Sequence, residues 1–531
     1  MDQFDFIIVG GGSAGCVLAS RLSEDPGTSV CMIEAGTTGD HWSINVPAGL
    51  VKTMQDKQTN WLLETTPQAS LGGRAMFWPR GKALGGSSAI NGMVYIRGHK
   101  ADYDRWANEE GCPGWDWDSV LPLFRRAENN ERIQDDLHGQ GGPLNVMDPR
   151  SPSPLSHMFV EAAAQAQIAE TTDFNGSQQE GAGLYQLTQK DGQRHSIWHA
   201  YLQGVQRPNL RVITGARATR IRVENGRAIG VDFRRQGQTA DESIAANREV
   251  LLCGGAVHSP HLLLLSGIGP GDELAKQGIA QVHEAPEVGR NLQDHLDISL
   301  VQRTSTNIGF AFTWRGLGRL PGAIREYRKQ RTGLLTSNFA EAGIFTRSTP
   351  DEPLPDLQYH FLPVMSDNHG KTRIYAHGVT LHCCDLRPKS RGYIGLGSAN
   401  PMADPLIDPN YLDHPDDMQK MIRGLEIGRR VLAAPPLAGH MADETHPGAD
   451  VQGPEALAAF IRRKAETIYH PVGSCRMGRD DRAVVDPELR VRGVGGLRVV
   501  DASVMPSLIG GNTNAPTVMI AERAVDLIRA G

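Results

Sequence analysis

The first 36 residues of the chain constrain its fold more than any other stretch. Residues 4–9 form a short apolar run of the kind found in a strand that is buried on both faces. The pattern G-x-G-x-x-G follows at residues 10–15, a helical segment continues over 16–21, and a second apolar run, 29–33, leads into Glu34. This order of strand, glycine turn, helix, strand and acid predicts a dinucleotide-binding unit.

Each residue type in this unit has a physical reason. Gly10 permits the tight turn, Gly12 lets a pyrophosphate approach the backbone, and Gly15 lets the helix pack closely on the strand. The phosphates would bind the N–H groups at the helix N-terminus, and Glu34 is spaced to accept hydrogen bonds from ribose hydroxyls. A purely structural glycine turn is the alternative, and the pattern does not distinguish NAD from FAD.

Composition narrows the class of protein. A chain of 531 residues predicts two or three domains, and 40% apolar with 21% charged residues is typical of a soluble globular protein. The 54 lysines and arginines are outnumbered by 60 acidic residues, which argues against nucleic acid as a partner.

Three features predict a cytoplasmic location. Seven cysteines without a C-x-x-C pair fit a reduced compartment. The chain enters a strand at once, so we expect no cleavable signal, and no run reaches the roughly 20 apolar residues of a membrane span. Peripheral attachment to the inner membrane is an alternative, because a patch of surface residues is enough for it.

A second glycine-rich stretch separates this chain from ordinary nicotinamide enzymes. Where those would begin another β-α repeat, residues 37–78 are irregular and polar. Residues 79–98 then carry five glycines separated by small residues, which would let the backbone press against a flat ligand. A glycine-rich loop of no special purpose is the alternative.

Four segments resemble, in the right order, the motifs of the glucose-methanol-choline (GMC) oxidoreductases, a family of FAD enzymes that act on alcohols. They are residues 79–98, 254–269, 469–478 and 511–517. The similarity extends over essentially the whole chain, and four motifs in the family's order do not arise by chance. Within the family, the chain most resembles bacterial FAD-dependent alcohol dehydrogenases of alkane degradation, followed by choline dehydrogenases.

The resemblance implies an α/β fold, α+β overall, with two domains assembled from separate segments. The Rossmann-like FAD-binding domain would comprise residues 1–155, 210–300 and 465–531, and the substrate-binding domain 156–209 and 301–464. The substrate domain would contain an antiparallel sheet with flanking helices. Within it, residues 378–384 and 392–396 have the composition of strands, and 418–432 that of an amphipathic helix.

The resemblance also implies how FAD is held. Some family members bind the cofactor covalently through a histidine of the first motif, but Ile90 occupies that position here and has no nucleophile, so non-covalent FAD is predicted. The implied cofactor contacts are Gly10, Gly12, Ser13, Ala14, Gly15, Glu34, Ala35, Trp61, Arg80, Gly81, Leu84, Gly85, Gly86, Ser87, Asn91, Gly92, Met93, Val94, Ala218, Cys253, Gly254, Asp501, Ala502, Asn512, Pro516 and Thr517. Alanine at position 218 is a mild departure from the branched residue often found there.

Oxidation of an alcohol removes a proton from the hydroxyl and a hydride from the carbon that bears it. The resemblance implies that His470 takes the proton and that the hydride goes to flavin N5. It places Asn514 where the family carries His or Asn, and an amide N–H there would stabilise the developing alkoxide. A buried structural histidine and a turn asparagine are the alternatives.

The last residues of the chain predict a helix whose N-terminus points at the flavin. Pro516 suits a first helical position, and Val518, Ala521, Val525 and Ile528 form one apolar face. The partial positive charge of the helix N-terminus would favour the anionic reduced flavin. We therefore expect this helix to help set the redox potential.

Several other polar residues are interpreted as structural. His195 with His199, and His258 with His261, have no acidic or cysteine ligand at metal-binding spacing, so no metal is predicted. Residues 289–295 are interpreted as a structural turn.

Taken together, the motifs predict FAD-dependent oxidation of a primary alcohol to an aldehyde, with a quinone or another respiratory acceptor reoxidising the flavin. An oxygen-using alcohol oxidase is one alternative. Choline oxidation is another, because Glu341 lies in a segment resembling one that choline enzymes use near their cationic substrate, although a surface carboxylate is an equal interpretation. A FAD-containing hydroxynitrile lyase and a non-catalytic flavoprotein are alternatives of other classes. The oligomeric state is left open.

Overall fold

Two large β-sheets, each packed against helices, organise the chain. A computed structural model of the protein describes residues 2–311, 313–372 and 374–531. The first sheet is mostly parallel and the second is antiparallel. The mixed α/β architecture predicted from the sequence is therefore confirmed.

The first sheet is built around the N-terminal strand. Ile7 lies opposite Cys31 on one neighbouring strand and Val250 on the other, and all three side chains are fully buried. Burial on both faces is the reason that the strand is an unbroken apolar run. In spatial order the strands are Leu210–Ile213, Val30–Ile33, Gln3–Val9, Glu242–Leu252, Arg227–Arg235 and Ala216–Glu224, with Leu497–Val499 also paired to Glu242–Leu252.

Helices from both ends of the chain complete the core of this sheet. Helix Ser13–Leu22 follows the glycine turn and packs against the C-terminal helix Asn514–Ala530, which also packs against Trp117–Ala127. All three helices contribute buried apolar side chains to one hydrophobic core with the sheet. The C-terminal end of the chain is thereby brought beside the N-terminal glycine turn.

The second sheet has its own hydrophobic core. Helices Pro154–Gln165 and Pro415–Leu432 pack on it, so the predicted antiparallel sheet with flanking helices, and the predicted amphipathic helix over 418–432, are confirmed. In spatial order the strands are Met441–His446, Leu296–Thr304, Gly378–Asp385, Leu357–Leu362, Ala342–Thr346 and Gly181–Leu184, with Glu466–Thr467 also paired to Leu296–Thr304.

The remaining helices and the short strand pairs lie outside the two large sheets. Other helices are Trp42–Asn45, Leu50–Thr53, Lys100–Asn108, Ile197–Tyr201, Gly255–Leu265, Gly271–Lys276, Trp314–Gln330 and Gly453–Lys464. Short strand pairs are Leu63–Glu64 with Phe77–Trp78, Glu128–Asn130 with Leu144–Val146, Gln189–Lys190 with Gln193–Arg194, Ile268–Gly269 with His283–Glu284, and Tyr393–Gly395 with Leu406–Asp408. The last pair confirms the strand predicted within residues 392–396.

Two details differ from the sequence-based picture. The C-terminal helix begins at Asn514, so the prediction that Pro516 opens it is wrong. Proline fits inside the first turn because the N–H groups there have no intrahelical acceptor. Strand Leu296–Thr304 crosses the domain boundary predicted at residue 300, and the division into two domains stays a prediction.

Across the described ranges, none of the helices combines the length and apolarity that a membrane crossing would need.

Candidate active site

A cavity of about 1230 Å³ is lined by residues of both sheets. It is larger than the roughly 300–1,000 Å³ of common ligand pockets. Val9, Ile33 and Leu252, which end three adjacent parallel strands, all lie on its wall. Ligands of open α/β sheets bind at this carboxyl edge, so the position of the cavity is that of a nucleotide site.

The glycines of the N-terminal motif fill the places for which they were predicted. Gly10 has φ of +104°, and a Cβ atom there would lie 2.5 Å from the carbonyl oxygen of Cys253. A Cβ atom on Gly15 would lie 1.9 Å from the carbonyl oxygen of Gly10. These two positions need glycine because of the turn and the close contact between helix and strand.

Gly12 needs a different explanation, because a Cβ atom there would meet nothing closer than the Cys253 carbonyl oxygen at 3.7 Å. Gly12 lines the cavity. Gly86 of the second glycine-rich stretch packs against Gly12: it has φ of +52°, and a Cβ atom on Gly86 would clash with the Gly12 Cα at 2.7 Å. Protein packing alone therefore leaves the cavity side of Gly12 open. A ligand pressed against the backbone, as FAD would be, fits that opening.

Glu34 ends the second strand on the same wall. Its carboxylate accepts hydrogen bonds from the backbone N–H groups of Gly11, at 2.8 Å, and Gly36, at 2.7 Å. Burial raises the pKa of Glu34 to about 7, although the two backbone donors act in the opposite direction. The buried carboxyl group has the position and the acceptor atoms that ribose hydroxyls require.

Most residues predicted to contact FAD lie on the cavity wall. Gly15, Leu84, Gly85 and Pro516 do not line it and stand behind the surface that the others form. Those on the wall are Gly10, Gly12, Ser13, Ala14, Glu34, Ala35, Trp61, Arg80, Gly81, Gly86, Ser87, Asn91, Gly92, Met93, Val94, Ala218, Cys253, Gly254, Asp501, Ala502, Asn512 and Thr517. Their roles as cofactor contacts stay predictions.

His470 is the candidate base, and its ring makes two contacts. Its Nε2 atom lies 3.1 Å from the amide nitrogen of Asn512, and its Nδ1 atom lies 3.0 Å from Nδ1 of His295. Its backbone N–H donates to the carboxylate of Asp294, at 2.7 Å. The side chain is thus held from both sides while the residue borders the cavity.

The hydrogen bonds define where the protons of this histidine pair lie. His295 Nε2 is 3.1 Å from the carbonyl oxygen of Leu386, which can only accept, so Nε2 of His295 carries the proton. Nδ1 of His295 must then accept from Nδ1–H of His470. The lone pair of His470 therefore lies on Nε2, where it accepts from the Asn512 amide.

Burial keeps both rings neutral. It lowers the pKa of His295 to about 3. Burial also holds the pKa of His470 well below the ordinary value, and the neighbouring His295 and His360 act in the same direction. His470 Nε2 is consequently an unprotonated acceptor at neutral pH, the state in which a general base must begin.

Asp294 anchors the backbone beneath His470. It also accepts hydrogen bonds from the hydroxyl groups of Thr467, at 2.5 Å, and Tyr411, and burial raises its pKa to about 6. Within residues 289–295, which we interpreted as a structural turn, Leu292 and Gln293 form bridges with Gly392 and Val472, and His295 contacts the candidate base. The sequence offered a signal for this in the adjacent Asp-His pair, which we interpreted only as part of a turn.

Two asparagines, Asn512 and Asn514, lie on the cavity wall, and the donor role predicted for Asn514 stays a prediction. Asn514 lines the cavity and its amide oxygen accepts from the hydroxyl of Ser13, at 2.7 Å, so its N–H₂ group is the donor end. Asn512 lines the same wall, accepts from Gln358 at 3.0 Å, and donates to His470. Both carboxamides lie on the cavity wall, and Asn512 is the one in direct contact with the imidazole of His470.

The carboxylate considered for choline is part of the core instead. Glu341 is only 1% exposed and accepts from the Ser153 N–H and the Ser156 and Ser337 hydroxyls. The interpretation as a surface carboxylate is therefore wrong, because two donors at the start of helix Pro154–Gln165 and a third from Ser337 satisfy the group inside the protein. Other carboxylates from the second half of the chain, which sequence reasoning missed, do lie on the cavity wall, namely those of Asp297, Glu326, Asp367 and Glu466.

Sequence reasoning also missed other residues of the cavity wall or interpreted them as structural. Asp297 lies 2.5 Å from Nδ1 of His382, an ion pair that raises the pKa of that histidine. His258 lines the cavity, and its ring centroid lies 4.4 Å from that of Trp61, over which Arg217 also stacks. The alternation of side chains along strand Leu296–Thr304 could have indicated which face of the sheet Asp297 occupies. It could not have shown that His382 is its partner.

Comparisons with known proteins agree with this architecture. Two models of the GMC oxidoreductase family match residues 4–297 and 388–521. The chain is 50% identical to an alcohol dehydrogenase [acceptor] of Pseudomonas putida, covering 99% of this chain and 96% of that protein, and 42% identical to the mitochondrial choline dehydrogenase of Mus musculus, covering 99% and 90%.

Solved structures show the same fold. A pyridoxine 4-oxidase from Mesorbium loti superposes with a TM-score of 0.90 at 31% identity, covering 99% of each chain. A formate oxidase from Aspergillus oryzae RIB40, described in a study of FAD modification, superposes with a TM-score of 0.93 at 26% identity, covering 100% of this chain and 98% of that chain.

The fold and the glycine-lined cavity thus define an oxidoreductase of the nucleotide-binding α/β class. More specifically, the chain belongs to the GMC oxidoreductase family, as the resemblance of its motifs indicated.

Proposed function

We propose that the protein oxidises an alcohol to a carbonyl compound with FAD as its resident cofactor. Family membership and the 50% identity to an alcohol dehydrogenase [acceptor] support this function. The observation that carries it is the composition of one cavity wall, which combines a glycine cradle with a neutral histidine acceptor. A non-catalytic nucleotide-binding protein would need the cradle but not the acceptor.

The cofactor would lie along the predicted contacts. The open backbone at Gly12 suits a pyrophosphate, Glu34 would accept the ribose hydroxyls, and the N-terminus of helix Asn514–Ala530 borders the cavity. When bound, FAD would supply the acceptor for the hydride of the alcohol. We propose non-covalent binding because the Ile90 side chain has no nucleophile; acid precipitation should release the yellow colour into the supernatant.

His470 would remove the hydroxyl proton. Its Nε2 lone pair accepts from Asn512 in this structure, and a substrate hydroxyl would share or replace that contact. The amide N–H groups of Asn512 and Asn514 would then donate to the oxygen as its negative charge develops. His295 would hold Nδ1–H of His470 throughout, so the proton arrives only at Nε2.

An uncharged primary alcohol fits the wall better than a cation. Apolar side chains that border the cavity include Phe310, Phe339, Leu362 and Met365. The carboxylates on the wall include Asp297, Glu466 and Asp367. Each is already paired, with His382, His369 and Lys464 respectively, which reduces its value as an anchor for a quaternary ammonium group. We propose an aldehyde product, reoxidation by a quinone or another respiratory acceptor, and peripheral attachment to a membrane that would supply such an acceptor.

Anaerobic mixing of the yellow holoenzyme with alcohols tests this function. Aliphatic alcohols should bleach the flavin absorbance faster than benzyl alcohol, choline or polyols at equal concentration. If none of these alcohols bleaches the flavin, the dehydrogenase assignment is wrong. That result would favour lyase chemistry, which leaves the flavin oxidised. Preference for choline would replace the proposed substrate class while preserving the reaction.

A further inference from the structure

The helix Trp314–Gln330 is unusually exposed for a helix of its length. Over residues 318–330, Ala323 and Tyr327 are buried and the other side chains of that span are exposed. The two buried residues are four apart, so one narrow stripe holds the helix to the protein. Leu320 and Ile324 are 39% and 37% exposed, respectively, although both are large and apolar.

The exposed part of this helix is basic on a chain whose net charge is −6. Over residues 318–330 it carries Arg319, Arg325, Arg328 and Lys329, against one acidic residue, Glu326. Cationic side chains beside exposed aliphatic ones are the composition of helices that lie in a membrane interface. The long stems of arginine and lysine can rest among lipid chains while their charges reach the phosphates.

A second exposed segment continues this surface. Trp42 is 58% exposed and Val51 is 43% exposed, and Nζ of Lys52 lies 4.9 Å from the centre of the Trp42 ring. Two short helical turns bring the segments together. The turn at residues 47–49 packs on the turn at residues 334–336, and that turn packs on helix Trp314–Gln330. Exposed tryptophan is typical of proteins at the membrane–water boundary.

Both segments border the cavity. Val51 and Met54 from one, and Leu320 and Ala323 from the other, lie on its wall. Val51 and Leu320 are both exposed and on the cavity wall, so we infer that the cavity opens to the surface beside these two segments.

We propose that these two segments, Trp42 to Lys52 and helix Trp314–Gln330, form a docking face for a bilayer containing anionic phospholipid. Docking would place the cavity entrance at the lipid surface, where long-chain alcohols and lipid-soluble acceptors concentrate. Charge complementarity selects an anionic bilayer over a neutral one. The proposal deepens the membrane attachment under the proposed function, but it does not depend on which alcohol is oxidised.

Co-sedimentation of the holoenzyme with vesicles tests the face. Binding should be stronger to equimolar phosphatidylcholine and phosphatidylglycerol than to phosphatidylcholine alone, and it should weaken as salt is raised. The variant Arg325→Gln/Arg328→Gln/Lys329→Gln should lose affinity by about tenfold or more. Exchanging Trp42 for alanine should weaken the binding that persists at high salt.

A matched variant controls for net charge. Arg125, Arg220 and Arg479 are exposed and lie outside both segments, so Arg125→Gln/Arg220→Gln/Arg479→Gln should bind vesicles like the original protein. Equal losses in the two triple variants, or equal binding to both kinds of vesicle, would overturn the proposal. Turnover of a short, water-soluble alcohol with a soluble dye should stay unchanged in both variants, and its absence in the original protein would refute the function without affecting the docking result.

Discussion

The two functional walls of the cavity are built in different ways. The wall predicted to bind the cofactor, here called the cofactor wall, is formed by short, contiguous motifs at the ends of parallel strands. These motifs supply the glycine turn at residues 10–15 and the carboxylate of Glu34. The base is held by residues far apart in sequence, with His470 joined to His295, Asn512 and, through His295, the carbonyl of Leu386.

This difference separates two kinds of requirement. A nucleotide needs open backbone, which glycine supplies locally. A histidine base needs a defined tautomer, which only a partner with a single hydrogen-bonding role can impose. In this protein that partner is a backbone carbonyl, acting through a second histidine.

The largest effect should follow removal of the base. His470→Gln should lower kcat/KM for flavin reduction by about 10²–10⁴-fold, the usual contribution of a positioned base. Stopped-flow absorbance of the anaerobic holoenzyme measures this, and FAD content should stay normal because the cofactor wall is untouched. The exposed His157 offers a control: His157→Gln should behave as the original protein. Unaltered reduction in the His470 variant would remove the base assignment.

The tautomer argument predicts a smaller loss. His295→Leu removes the acceptor of His470 Nδ1–H, so the ring can shift its proton to Nε2 and lose its lone pair there. We expect kcat/KM to fall by about 10- to 100-fold, within the range of misplaced catalytic groups. His295→Gln can still offer an oxygen to His470 and should recover part of the rate. A structural role alone would affect both variants equally and would also reduce FAD content.

The cofactor wall can be probed at Glu34. Glu34→Gln should weaken FAD binding by about tenfold at pH 8, since a hydrogen bond to a charged acceptor contributes roughly 1.5–3 kcal/mol. Because the pKa of Glu34 is raised to about 7, the carboxyl group is increasingly protonated below that pH, and the difference from glutamine should narrow. Fluorescence titration of apoprotein with FAD measures both affinities.

The exposed Glu64 provides the matched control. Glu64→Gln should bind FAD as the original protein does at both pH values. A Glu34 variant whose deficit grows as the pH falls would contradict the protonation argument.

The smallest effect concerns pH. Neutral His470 is the active form, and its pKa is held well below the ordinary 6.5 by burial. Protonation, and with it the loss of kcat/KM, should therefore begin only well below pH 6.5, leaving the profile flat through neutrality. An acid limb centred near pH 6.5–7 would show that the base is not buried as described.

Local patterns carried a large part of the fold. The strand Gln3–Val9, the glycine turn and helix Ser13–Leu22 follow from apolar runs and glycines, and the antiparallel strand Gly378–Asp385 from its apolar composition. The start of the C-terminal helix was misplaced, since proline is tolerated throughout a first turn. Glu341 was misplaced because two of the three serines that bind it, Ser153 and Ser156, lie 188 and 185 residues earlier in the chain.

By itself, the sequence determined the nucleotide-binding unit, because that unit depends on residue types at short spacing, and its motifs resembled those of a family that places the base at His470. The tertiary structure alone decided which nitrogen of His470 carries the lone pair, which asparagine contacts it, and which carboxylates border the cavity. Those outcomes depend on distances between segments up to hundreds of residues apart, and a linear pattern contains no measure of such distances.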